Sequence, residues 1–86
     1  MYKIEYLESV AEIDLPCLPK MAKIQIRRAI EERLTKAPLD FGKPLQYSLK
    51  GCRRLRVGDY RIIYQIEEAT HTVVIVKIGN RKEVYD

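Results

Sequence analysis

Metal-ligating chemistry is scarce in this chain. Its 86 residues hold one histidine, His71, and two cysteines, Cys17 and Cys52, with no CxxC pair. That leaves no zinc-ligand spacing. A carboxylate pair of the kind a two-metal nuclease needs is not evident either. Two cysteines do not make a disulfide framework, so the reducing cytosol is the expected compartment. Long apolar runs are missing as well. The start, MYKIEYLESV, alternates charged and apolar residues without a signal-peptide core, and no later stretch could span a bilayer. Internal repeats and low-complexity tracts are absent.

What is present is an ordinary globular balance. Hydrophobic residues make up 47% and charged residues 33%, which argues against disorder. The length suits one domain spanning residues 1–86. A core this small supplies only about a few kcal/mol of net stability, so a bound partner adds much to it. The net charge is +4, and its placement is uneven. From Met1 to Gly42, seven Lys and Arg balance seven Asp and Glu; from Lys43 to Asp86 there are nine against five. The whole excess sits in the second half. A basic surface of this kind attracts phosphate polyanions or acidic protein segments, or is simply a solvated face.

Taken in order, Tyr2, Ile4 and Tyr6 alternate with Lys3, Glu5 and Leu7, which predicts a half-buried strand. Ser9-Val-Ala-Glu12 reads as a capping box opening a short helix to about Leu15, with Val10, Ile13 and Leu18 facing inward. Pro16 ends or kinks it. Pro19 suits the first turn of a second helix over Lys20 to Lys36. There Ala22, Ile26, Ala29, Ile30 and Leu34 make the buried stripe. Arg27 with Glu31 and Arg28 with Glu32 are i,i+4 pairs on the exposed side. The two helices are expected to form a hairpin.

Residues 38–50 carry Pro38, Gly42 and Pro44 and predict a packed crossover loop. Three β-runs follow: Arg53 to Val57, Tyr60 to Glu67, and Thr72 to Gly79. Gly58-Asp59 is the first turn. The expected class is α+β. A mainly antiparallel sheet with an N-terminal strand takes the helix pair on one face and ends in a three-stranded meander.

Arginines thread through these strands. Arg54 and Arg56 share one face, and Arg61 looks away from the apolar set Tyr60, Ile62, Tyr64 and Ile66. A tight hairpin places Arg61 beside Arg54 or Arg56. Lys77 projects from the third run and Arg81 follows it. Arginine makes planar, bidentate phosphate contacts and stays charged, so the cluster reads as a phosphate site. The other reading pairs these arginines with Asp59, Glu67 or Glu83. For proton transfer the nearby candidates are Tyr85 and Cys52; His71 falls in the opposite connection. Tyr85 is equally read as an aromatic that caps the core.

These residues resemble a known group. Arg53-Arg-Leu-Arg-Val-Gly-Asp-Tyr-Arg-Ile-Ile-Tyr64, then Val74-Ile-Val-Lys-Ile-Gly-Asn-Arg81 and Glu83-Val-Tyr85, is similar to the RelE branch of the RelE/ParE toxin superfamily. The likeness extends to Leu18-Pro-Lys20 and Gly42-Lys-Pro-Leu45. It implies a toxin that cuts messenger RNA in the ribosomal A site. The implied reaction needs no metal or other cofactor: the 2′-OH attacks the adjacent phosphate and leaves a 2′,3′-cyclic phosphate. It also implies a cognate antitoxin, through which the complex binds operator DNA, and a cytoplasmic life with no membrane.

Residue by residue, the resemblance puts the family's first-strand basic group on Arg54 and its hairpin arginine on Arg61. Its last arginine falls on Arg81. Its C-terminal tyrosine falls on Tyr85, to stack on a base or help activate the nucleophile. Arg53, Arg56, Lys77 and Lys82 complete the expected RNA- and phosphate-binding set. Two departures stand out. A lysine of the best-known members is Cys52 here, which cannot supply a fixed charge. The chain as given also stops one residue after Tyr85, without the C-terminal helix of many relatives, so Tyr85 is expected to be fixed only when RNA or ribosome binds. Relatives of the ParE branch keep the fold and poison DNA gyrase, and Cys52 keeps open a third possibility, a module that only binds antitoxin or co-represses DNA.

Overall fold

The computed structural model describes residues 1–80 and Lys82, the side chain of Ser48 excepted. Five strands form one sheet: β1 (Lys3–Tyr6), β2 (Lys43–Pro44), β3 (Arg53–Val57), β4 (Tyr60–Glu67) and β5 (Thr72–Asn80), in the order β1-β5-β4-β3-β2. Strand β1 runs parallel to β5, from Lys3 opposite Thr72 to Tyr6 opposite Ile75. All other neighbours are antiparallel. The expected α+β architecture and meander are present. The two-residue β2 is an addition, found where the sequence predicts loop. Pro44 is tolerated because β2 is the edge strand and needs no donor on its outer side.

One helix, α1 (Lys20–Ala29), continues through a wider-wound turn, Ile30–Leu34, whose closing bond runs from Thr35 N–H to Ile30 O. The predicted stripe is buried throughout: Ala22, Ile26, Ala29, Ile30 and Leu34 pack with Leu55, Ile62, Tyr64, Val73, Ile75 and Ile78 of the sheet. Apolar spacing is read correctly because burial decides it. The charged side differs. Among the described residues Arg27–Glu31 and Arg28–Glu32 close no ion pair, as expected of charges that water already solvates.

The first arm of the helix pair is a single wide turn, Val10–Asp14, closed by Leu15 N–H on Val10 O. Three details correct the expectations for this region. Ser9 has helical φ and ψ of −61° and −33° and makes no side-chain cap, because Leu7 O already takes the Val10 and Ala11 N–H groups. The i→i+5 winding turns Asp14 inward and leaves Ile13 60% exposed. Pro19, with ψ of 153°, is the residue before the first turn of α1, not a member of it.

Residues 38–42 are gathered onto the sheet by side chains from β3 and β4. The Tyr64 hydroxyl lies 2.8 Å from Pro38 O and 2.6 Å from Phe41 O and shares its one proton between them. Arg53 Nη2 donates to Leu39 O at 3.1 Å and Gly42 O at 3.2 Å. Burial pushes the Tyr64 phenol above its usual pKa, and Arg53 partly opposes this. Replacing Tyr64 by Phe is expected to cost about 1–2 kcal/mol, since a carbonyl loses its donor. The sign with pH follows from a folded pKa above the unfolded 10.0. This stability is intact below pH 10 and is lost as pH rises beyond it. Denaturation midpoints measured from about pH 8 to 11 should therefore fall less steeply in Tyr64→Phe.

Gly42 is the pivot of the same stretch. Its φ is +75°, and a Cβ there would stand 2.6 Å from both Arg54 O and the Tyr64 hydroxyl. The first of these is backbone and cannot step aside. Gly42→Ala is expected to destabilise by about 2 kcal/mol through strain and overlap together, which urea unfolding would read.

Candidate nucleic-acid interface

The helices cover one face of the sheet. The hairpin between β3 and β4 sets what the other face presents. Gly58 takes φ +59°, as the first central residue of a tight primed turn requires. The closing pair is Val57 with Tyr60, so Arg56 falls directly opposite Arg61 and Arg54 opposite Ile63. On the outer side Lys43 of β2 is paired with Arg54. On the inner side Arg61 faces Gly79, which adds no side chain. The result is a basic field of Lys43, Arg54, Arg56 and Arg61 on one face.

Cβ atoms at opposed positions are about 5 Å apart, and like charges so placed repel. The field is also partly sheltered: Arg61 is only 9% exposed, Arg54 is half-buried and Arg56 is open to solvent. Low-dielectric walls strengthen the attraction of such a field for an anion. A cleft of about 370 Å³ lies at its β2 side, lined by Asp40, Phe41, Gly42, Lys43, Arg54, Leu55 and Arg56. Larger hollows of about 450 and 410 Å³ lie along α1 and contain none of these arginines.

Other sequence-singled residues are placed elsewhere. Arg53 points to the opposite face, beside Tyr64, and its guanidinium is engaged by the Leu39 and Gly42 carbonyls. Strand alternation alone separates it from Arg54. Lys77 stands opposite Ile63 by register, but its amine turns to Asp14, with Nζ 3.1 Å from Oδ1. Lys82 is exposed just past β5, its backbone N–H donated to Asn80 Oδ1 at 3.1 Å. Arg81, Glu83 and Tyr85 lie outside the described residues.

Cys52 is 5% exposed and packs with Leu45 and Ile63, flanked by Leu49 and Val76, under the 45–50 segment. Gln65 Nε2 lies 3.4 Å from its Sγ. It behaves as a small apolar side chain beneath the basic field. His71 has φ +53° and stacks on Tyr2, ring centroids 3.7 Å apart, while the Tyr2 hydroxyl donates to Glu68 Oε1 at 2.8 Å. That hydrogen bond, more than the partial desolvation, raises the Tyr2 phenol pKa. The eight-residue β4 separates His71 from the hairpin by roughly 27 Å.

Among the described residues no group of three or more His, Cys, Asp or Glu could hold a metal ion. Lys43 is the site residue that sequence reasoning passed over. Its only signal is a lysine between Gly42 and Pro44, which reads as turn until the edge strand is seen.

The fold is that of a class, the small α+β toxins of the RelE type. A family model described as the ParE toxin of the type II toxin–antitoxin system parDE matches residues 10–85. Toxin RelG of Mycobacterium tuberculosis is 34% identical over 77 residues, covering 90% of this chain and 88% of that protein. Toxin RelE of the same organism is 33% identical over 79 residues, covering 92% and 81%. Among solved structures, the M. tuberculosis RelBE2 toxin–antitoxin complex superposes with a TM-score of 0.86 at 31% identity, covering 93% of this chain and 98% of the matched one. Isolated Escherichia coli RelE shares the fold, with a TM-score of 0.77 at 17% identity over 93% and 84%. The chain belongs to the RelE/ParE family and is a toxin of a type II toxin–antitoxin system.

Proposed function

We propose that this toxin is a ribosome-dependent endoribonuclease that cleaves messenger RNA in the A site. The observation that carries the reading is the opposition of Arg56 and Arg61, with Arg54 and Lys43 on the same face. Such repulsion is tolerated most readily where an anion is to be bound. Arg54 and Arg61 hold the scissile phosphate through its non-bridging oxygens and stabilise the charge that grows there. The 2′-oxygen forms a bond to phosphorus and gives up its proton. The bond from phosphorus to the 5′-oxygen breaks, and that oxygen takes up a proton. The products are a 2′,3′-cyclic phosphate and a 5′-hydroxyl. Arg81 and Tyr85 complete the site by resemblance. The ribosome holds the message single-stranded and in line, which lowers the entropic part of the barrier.

The structural neighbours include toxin–antitoxin complexes from M. tuberculosis and E. coli. By that analogy a cognate antitoxin neutralises the basic face, and operator DNA is reached through it. No helix among the described residues is long and apolar enough to cross a membrane, in keeping with action on ribosomes in the cytoplasm. Two observations favour a second reading: the matching family model is that of ParE, and Cys52 is buried where the resemblance places a lysine. Inhibition of DNA gyrase then replaces cleavage.

The deciding experiment is primer extension on a message translated in a purified system, with end-group analysis. Codon-spaced cuts bearing 2′,3′-cyclic phosphate are expected. Intact message together with gyrase-dependent DNA breaks would move the assignment to the second reading. Antitoxin binding with neither effect would leave a binding module.

A further inference from the structure

The segment that covers Cys52 ends in an exposed aromatic ring. Leu45 and Leu49 pack down onto Cys52, Ile63 and Val76. Between them the chain makes one tight turn, with Leu49 N–H on Gln46 O at 3.2 Å and Lys50 N–H on Tyr47 O at 3.0 Å. Both ends are tied to the start of β3, since Leu45 N–H donates to Cys52 O and Cys52 N–H to Leu49 O, each at 2.9 Å. At the apex Tyr47 has φ +59° and is 89% exposed.

Neither property serves the fold. A left-handed φ is unfavourable for a bulky residue and natural for glycine. A ring in solvent contributes no burial. A strained, exposed aromatic on a pinned turn points to a ligand. Its surroundings say which kind. From Gly42 to Gly58 there are five Lys and Arg and no Asp or Glu. Lys43 and Lys50 are both exposed. Ile63, beneath the turn, is the cross-strand partner of Arg54. Leu45 packs on Ile63 and lies two residues, at most about 7 Å of chain, before Tyr47, so the turn sits on the same side of the sheet as the arginine field. Aromatic rings beside a basic groove are how proteins hold unpaired RNA, stacking a base while cations follow the backbone.

We propose that Tyr47 is a stacking platform for an unpaired RNA base next to the phosphate held on the arginine face. This rests on the reading of that face as the RNA site and adds a substrate-positioning contact to it. Antitoxin is the competing occupant, but an acidic peptide would seek the lysines rather than the ring.

The chain has no tryptophan, so Tyr47→Trp installs a single indole reporter. Titration with a 2′-O-methyl hexaribonucleotide at low salt is expected to quench its emission saturably, and added salt should weaken the effect. In the translation system Tyr47→Ala should cleave about tenfold more slowly, with Tyr47→Phe near wild type. Tyr47→Gly suits the backbone, so it should melt no lower than wild type yet lose the same tenfold, separating stacking from folding.

Unchanged indole emission while the oligonucleotide binds would overturn the proposal, as would quenching by an acidic peptide alone. If wild type and Tyr47→Ala cleave equally, the stacking role falls and the endoribonuclease reading stands. If wild type does not cleave, that reading falls, and the quenching titration alone decides the role of Tyr47. Failure of the oligonucleotide to bind at all overturns the stacking platform, while primer extension still decides the endoribonuclease reading.

Discussion

Replacing Arg61 with alanine should slow message cleavage by about 10²- to 10³-fold, the usual effect of removing one preorganised donor from a developing oxyanion. Arg61 is the most sheltered member of the basic field, at 9% exposure. Water therefore competes least with its contact to phosphate, and its field is least screened. Arg61→Lys keeps the charge but loses the two-pronged geometry, so it should recover only part of the rate. The fold should survive either change. Removing one of two opposed arginines relieves a repulsion of up to about 1 kcal/mol, which works against the loss of the stem packing and of the contacts Arg61 makes. Melting temperature should stay within about 5 °C of wild type. Single-turnover cleavage followed by primer extension gives the rate. A rate within about threefold of wild type would remove Arg61 from the site, given how much one such donor normally contributes.

Asp14→Ala should cost the fold about 3 kcal/mol, the largest loss of stability expected from one surface-proximal change. The Asp14 side chain is only 5% exposed. Beyond Leu7, whose N–H reaches Ile75 O at 3.1 Å, the chain no longer covers the edge of β5, and the Asp14 carboxylate takes its place. Oδ2 accepts the Ile78 N–H at 3.0 Å, and Oδ1 lies 3.1 Å from Lys77 Nζ. Alanine leaves a buried backbone donor unpaired, which is the main term. The ion pair is the lesser one, because Lys77 is 48% exposed and solvent screens it. Asp14→Asn keeps an acceptor for Ile78 and should lose only about 1 kcal/mol. Lys77→Met should cost less still. Equal losses for Asp14→Ala and Asp14→Asn in urea unfolding would show that the ion pair, not the backbone bond, holds this edge.

Much of this was legible because burial enforces periodicity. The stripe from Ala22 to Leu34 and the alternation through Tyr60 to Ile66 each have one solution that hides apolar surface. The same alternation, with a tight turn at Gly58-Asp59, puts Arg61 on the open face beside Arg54 or Arg56, and the register of the hairpin is what sets it opposite Arg56. Asp14 was not legible. A carboxylate turned inward looks like an error of pattern until the uncovered edge it serves is visible. Ile13 was misplaced for the same reason, since a one-residue widening of the turn changes which side chain faces in.

Arg53 shows a different limit. Composition makes it one more arginine in a basic run, whereas its face and its carbonyl partners follow from β3 register and the fold of residues 38–42. Lys43 lay in a stretch too irregular to suggest pairing. Tyr47 carries no periodic signal, because its exposure and its φ come from the turn that holds it.

The parallel pairing of β1 with β5 has a consequence for synthesis. Lys3 and its neighbours leave the ribosome well before their partners from Thr72 to Ile75. Contacts this far apart in the chain form late and slowly. The antiparallel β3–β4 hairpin can close as soon as it emerges. The first strand and the helices wait for β5, whose Val73, Ile75 and Ile78 complete the apolar core. A nascent copy thus remains unfinished until β5 has emerged, which leaves an interval for a partner to meet the chain before its sheet is complete.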